Sequence, residues 1–127
     1  MKGSVLMFSL VVIVLTGSIG YAHHSMAMFE SDKTVTLDGT VKYFKWVSPH
    51  AFIGLTVPYK SGPIDWTVEM GGGGVTTLIR GGWSPETIKF GDKVTIVCHP
   101  MKNGTAGCNF VQMTLPDGKV MKIGGVQ

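Results

Sequence analysis

From Thr34 onward the chain alternates apolar and polar residues in short bursts, separated by turn-forming glycine, proline and asparagine. A period of two is the mark of strands with one buried face. The first burst, TVTLDGTVKYFKW (Thr34–Trp46), offers Val35, Leu37, Val41 and Tyr43 to one face. Asp38-Gly39 interrupts it, and glycine inside a strand marks a bulge or a sharp coil. AFIGLTVPY (Ala51–Tyr59) is a second strand, and IDWTVEM (Ile64–Met70) a third, after the turn Lys60-Ser61-Gly62-Pro63. The period then breaks at Gly71–Gly74, where VTTLIRGGW reads as a short helix. Ser84-Pro85-Glu86 reads as a second helical start, with serine at the cap and proline at the first position. GDKVTIVCHPM (Gly91–Met101) and CNFVQMTL (Cys108–Leu115) are strands four and five, around the hairpin loop Asn103–Gly107. Pro116-Asp117-Gly118 turns into a brief tail, KVMKI.

Three strands, a short helix, then two strands is the order of the OB-fold, a small five-stranded barrel whose first strand is long and coiled. An open sandwich or another small barrel shares the same elements, and periodicity does not separate them.

The first 22 residues follow a different pattern. Lys2 gives a positive start, Val5–Leu15 is almost uninterrupted apolar sequence, and Gly20-Tyr21-Ala22 puts small residues around a cut. That is a cleavable secretory signal, and the apolar run falls short of the ~20 residues that span a bilayer. Residues 1–22 are therefore expected to be removed, leaving one OB-like β domain over residues 23–127 in the periplasm or outside the cell, with no stable membrane insertion. The whole chain has 127 residues and a net charge of +3. So mild an excess, with lysine and aspartate interspersed, is not a nucleic-acid footprint. In an oxidising compartment the two cysteines, Cys98 and Cys108, suggest a disulfide. A buried reduced pair, or a thiolate site with His99 and Met101, are the other readings.

The expected cut lies directly before His23, which changes the chemistry of all four histidines. A terminal amine and the imidazole of the same residue can chelate one ion, and His24, His50 and His99 can add nitrogen ligands. His50 ends the first inter-strand loop and His99 lies at the end of strand four, and the loops joining strands one to two and four to five carry ligands in OB-folds. Imidazole suits copper and zinc, while thioether suits Cu(I). Met26, Met28 and Met101 stand close in sequence to three of the histidines, so the expected ion is copper, with zinc the second choice. The alternative function is a binding module for a small ligand, an oligosaccharide or an exported partner protein, with Trp46, Phe52, Trp66 and Trp83 as its ligand face. The glycine run lacks the Lys-Ser/Thr ending of a phosphate loop and reads as a flexible connector. No nucleophile motif or paired carboxylates mark a catalytic residue. The one route to an enzyme is redox chemistry at a histidine-held copper.

AHHSMAMFE, GTVKYFKWVSPHAFI, GWSPETIKFGDKVTI and HPMKNG together resemble a family of short exported bacterial proteins of unknown function. The likeness runs from His23 to about Val120. It implies an exported, single-domain β protein and brings no established activity. The four-glycine run, Cys98 and Cys108 depart from that family's pattern.

Overall fold

The computed structural model describes residues 26–124. Its elements are β1 (Val35–Lys45), β2 (Phe52–Val57), β3 (Ile64–Glu69), α1 (Gly74–Arg80), β4 (Lys93–Pro100), β5 (Gly107–Thr114) and β6 (Val120–Lys122). The expected signal segment, His23 and His24 lie outside the described residues.

β1 is long enough to serve two partners. Val35–Thr40 pairs antiparallel with β4, and Thr40–Lys45 pairs with β2. The change of partner falls at Thr40, next to Gly39, where a Cβ would not fit. A Cβ on Gly39 would stand 2.7 Å from Leu55 Cγ and 2.8 Å from the Thr56 carbonyl oxygen. β2 pairs with β3, β4 with β5, and β3 closes the ring by a short parallel pairing of Thr67–Glu69 with Gly107–Asn109. The ring order β1-β2-β3-β5-β4 is a closed five-stranded barrel of OB type, with the helix between β3 and β4.

The bulge comes later than the sequence suggested. The register with β2 slips between Val41 and Tyr43. One extra residue reverses the side-chain parity of everything after it. Val41 is therefore buried with Leu37, whereas Tyr43 is exposed and Phe44 packs against the core. The core itself is Leu37, Val41, Ile53, Leu55, Val68, Ile96, Met113 and their buried neighbours.

One end of the barrel is closed by aromatic rings. Trp83 lies edge-on to Phe110 at 5.5 Å and tilted against Phe44 at 6.1 Å. Its Nε1–H donates to the Lys122 carbonyl at 2.9 Å, which ties the cap to β6. The brief tail is thus a sixth strand, joined to β5 through Gln112–Thr114 beyond the point where β3 leaves it.

Gly73 and Gly74 are structural parts of the helix start. Gly73 caps α1 at φ 98°, and Gly74 is buried at φ 62°. A Cβ on Gly74 would stand 2.6 Å from Ser48 Oγ, which accepts the Val75 N–H at 3.3 Å. The β1–β2 loop is thereby fastened to the helix. At Ser84-Pro85-Glu86 the structure makes one turn and no second helix. Ser84 N–H donates to Thr87 Oγ1, and Ile88 enters the core before Gly91 turns the chain with φ 89°.

Cys98 and Cys108 are joined, with Cα atoms 5.6 Å apart. The bond links β4 to β5 at the position of a second register slip, between Val97 and Cys98, and both cysteines are buried. The thiolate-site and reduced-pair readings are set aside by this bond.

Candidate functional site

The outer surface of the barrel carries the chemistry, and strand pairing decides which residues meet there. His99 pairs with Asn109 on β5, Asn109 pairs with Glu69 on β3, and Glu69 pairs with Phe52 on β2. Their chain neighbours Cys98, Val68 and Ile53 are fully buried, so His99, Glu69 and Phe52 face outward, with Asn109 itself buried between His99 and Glu69. Distant segments of sequence therefore form one polar band at one end of the barrel. Asn109 is its most buried member, and its Nδ2 donates to the Glu69 carbonyl at 3.4 Å.

His99 is held by its backbone surroundings. Its Nδ1 lies 2.6 Å from the Lys33 carbonyl oxygen. A carbonyl only accepts, so Nδ1 carries the proton of the neutral ring and Nε2 keeps its lone pair. An imidazole fixed in this way by its other nitrogen is the usual arrangement of a metal-ligating histidine.

His50 ends the β1–β2 loop and turns to β3. Its Nδ1 lies 3.0 Å from Glu69 Oε1, with the side chains 27% and 18% exposed. The nitrogen is shielded from solvent, and it has no aligned hydrogen bond among the described residues. The contact is therefore close in distance but off the hydrogen-bond line. The loop is further fixed by the Met70 N–H donating to the Ala51 carbonyl at 2.9 Å.

The two histidines share a rim without sharing a contact. His99 and Glu69 are separated by two strand spacings, about 10 Å of backbone. Each ring is anchored by its own partner. Among the described residues, no three histidine, cysteine, aspartate or glutamate side chains converge on a point where a metal ion would sit. A site at either ring must draw donors from other residue types or from beyond the described residues.

The segment leading into the barrel reaches this rim. Phe29 forms an isolated antiparallel bridge with Met101. The Glu30 N–H donates to the Pro100 carbonyl, and the Lys102 N–H to the Met28 carbonyl, both at 2.9 Å. Residues 28–30 are thus laced to residues 100–102, directly after His99. Phe29 is buried by this docking, while Met26 and Met28 remain 51% and 46% exposed.

The four aromatics expected as a ligand face take different places in the structure. Trp83 is buried in the cap, Trp66 stands opposite the buried Leu55, and Trp46 packs edge-on against Phe44 at 5.5 Å. Of the four, Phe52 alone lies on the outer row. Trp66 sits at an inward position of β3, whereas Trp46 follows the end of β1 and Trp83 lies in the segment after the helix; all three pack on the core, where their area is worth most. Sequence reading missed Tyr43, whose ring covers Gly54 on the outer face. It also missed Glu69 and Asn109, which only strand register brings beside the histidines. Farther along this face Lys42 and Asp65 form an exposed ion pair, and Thr56 donates to the same carboxylate at 2.7 Å. The hydrogen bond from Lys42, then that from Thr56, lowers the Asp65 pKa, and the same contact raises that of Lys42.

No curated protein and no solved structure matches the chain. A family model does, over residues 11–110, which takes in β1 to β4, the helix, His50, His99 and the start of β5. By that match the chain belongs to the family of unknown function DUF6152.

Proposed function

We propose that this protein is an exported copper-binding protein whose ligands are the mature N-terminal residue His23 and the ring of His99, with His24 completing the nitrogen set. The observation that carries the reading is the lacing of residues 28–30 onto residues 100–102. It ties the chain that follows the two leading histidines to the end of the strand that bears His99. Only Ser25 separates His24 from Met26, and a chain advances at most ~3.6 Å per residue. The free Nε2 of His99 supplies a lone pair already fixed in its tautomer. Nitrogen donors of this kind suit Cu(II) above the other divalent ions of the first row, zinc included. His50, held against Glu69 farther along the row, is an auxiliary ligand at most.

The test begins with the protein recovered from the export compartment. Its mass should place the first residue at His23. His99→Gln should then weaken Cu(II) binding by about tenfold or more, or 1.4 kcal/mol, by titration against a competing chelator. A mature chain beginning at Met26, or Cu(II) binding indifferent to His99→Gln, would overturn the proposal. Absence of any copper or zinc binding would favour the small-ligand module, for which Phe52 and Tyr43 on the outer face are the contacts to test.

A further inference from the structure

We infer that His99 and Met101 form a soft-metal site of their own, taking a monovalent d10 ion, Cu(I) or Ag(I), through one imidazole nitrogen and one thioether sulfur. The inference rests on the copper reading for His99 and is independent of the terminal amine. His99 and Met101 are two residues apart on an extended chain, so both side chains leave the same face, about 7 Å apart at the backbone. Their partners confirm the parity: His99 stands opposite Asn109, and the Met101 N–H donates to the Gly107 carbonyl at 3.1 Å. Both side chains are partly exposed at the rim.

The sulfur is placed by its surroundings. Gly107 has no side chain where Met101 lies, and a Cβ there would stand 2.7 Å from Sδ. Thr105 Oγ1 approaches Sδ to 3.2 Å, but the same hydroxyl lies 2.7 Å from Asn103 Oδ1. A hydroxyl has one proton, and a carbonyl oxygen is a far better acceptor than a thioether. Asn103 Oδ1 also accepts the Thr105 N–H at 3.1 Å, which fixes the amide with its oxygen toward Thr105. The hydroxyl proton therefore goes to Asn103, and the lone pairs of Sδ are left for a metal. His99 contributes Nε2, since Nδ1 is engaged by the Lys33 carbonyl. One borderline nitrogen and one soft sulfur favour a monovalent soft ion over Cu(II) or Zn(II).

Silver(I) is the probe, because it does not change oxidation state during the measurement. The experiment uses exported protein carrying one extra residue before His23, so that the terminal chelate is absent. Its methionine methyl groups are 13C-labelled and followed by NMR during Ag(I) titration. The Met101 methyl should shift, while those of the buried Met70, Met113 and Met121 should not. Met101→Leu, close in volume and so tolerated by the packing, should lower Ag(I) affinity by about tenfold or more. In the processed protein the same substitution should leave Cu(II) affinity nearly unchanged. An unmoved Met101 methyl, or equal Ag(I) affinity after Met101→Leu, would overturn the inference. A failure confined to Cu(II) in the processed protein would count against the amine chelate and leave this site standing.

Discussion

At Gly74 a single missing side chain sets the geometry of a loop and a helix together. The residue has φ 62°, and its absent Cβ is replaced by Ser48 Oγ from the β1–β2 loop. Gly74→Ala meets two separate penalties, a left-handed backbone and a clash at 2.6 Å. It should destabilise the protein by about 1–3 kcal/mol, read as a lower midpoint in denaturant. Adding Ser48→Ala removes the 2.6 Å contact with Oγ but leaves the backbone penalty, a 3.2 Å approach of Ser48 Cβ and the lost acceptor of the Val75 N–H, so the double variant should recover only part of the loss. Full recovery would show that φ contributes nothing, and no loss in the single variant would contradict the account of the helix start. The four glycines were plain in the sequence, but their task was not. A run of glycine looks the same whether it is a loose connector or a place where another segment occupies the side-chain space.

Among the elements, β4 and β5 carry the most consequence, because they hold the disulfide, His99 and the outer row. The bond closes a separation of 10 residues inside the core. The chain-entropy treatment gives such a loop about 2–3 kcal/mol of stabilisation. Replacing both cysteines by alanine should cost at least that in a denaturant titration, since two buried sulfurs are removed as well. An unchanged midpoint would contradict the placement of this pair in the core. Strand identity was legible at this scale: all five barrel strands follow from alternation, with ends within two residues of those observed. Register was not. The slips after Val41 and Val97 are invisible to a period-two pattern, yet the first of them turns Tyr43 outward and Phe44 inward. β6 was missed for a related reason. Three residues carry too little periodicity to announce a strand, and it is Trp83, paired through Lys122, that gives it a place.

At the scale of the whole molecule, barrel closure assembles what the sequence scattered. His50, Glu69, His99 and Asn109 come from four segments and meet as one band because β3 and β5 pair in parallel. The histidines were recognisable by type and by position at loops, whereas their partners, the Glu69 carboxylate and the Lys33 carbonyl, depend on pairing across the barrel. The same closure buries Trp83 and packs the half-exposed Trp46 and Trp66 against the core, three tryptophans that composition alone would offer as a binding surface. What remains at the rim is a tautomer-fixed His99 beside the docked entry of the chain. On the proposed copper reading, processing before His23 would create the site by freeing its amine. Cu(II) affinity is therefore to be measured by competition titration on two forms of the protein, one beginning at His23 and one with a single extra residue before it. Every side chain is common to both forms. The extended form should bind Cu(II) more weakly by about a hundredfold, or about 2.7 kcal/mol; equal affinity in the two forms would refute the amine chelate.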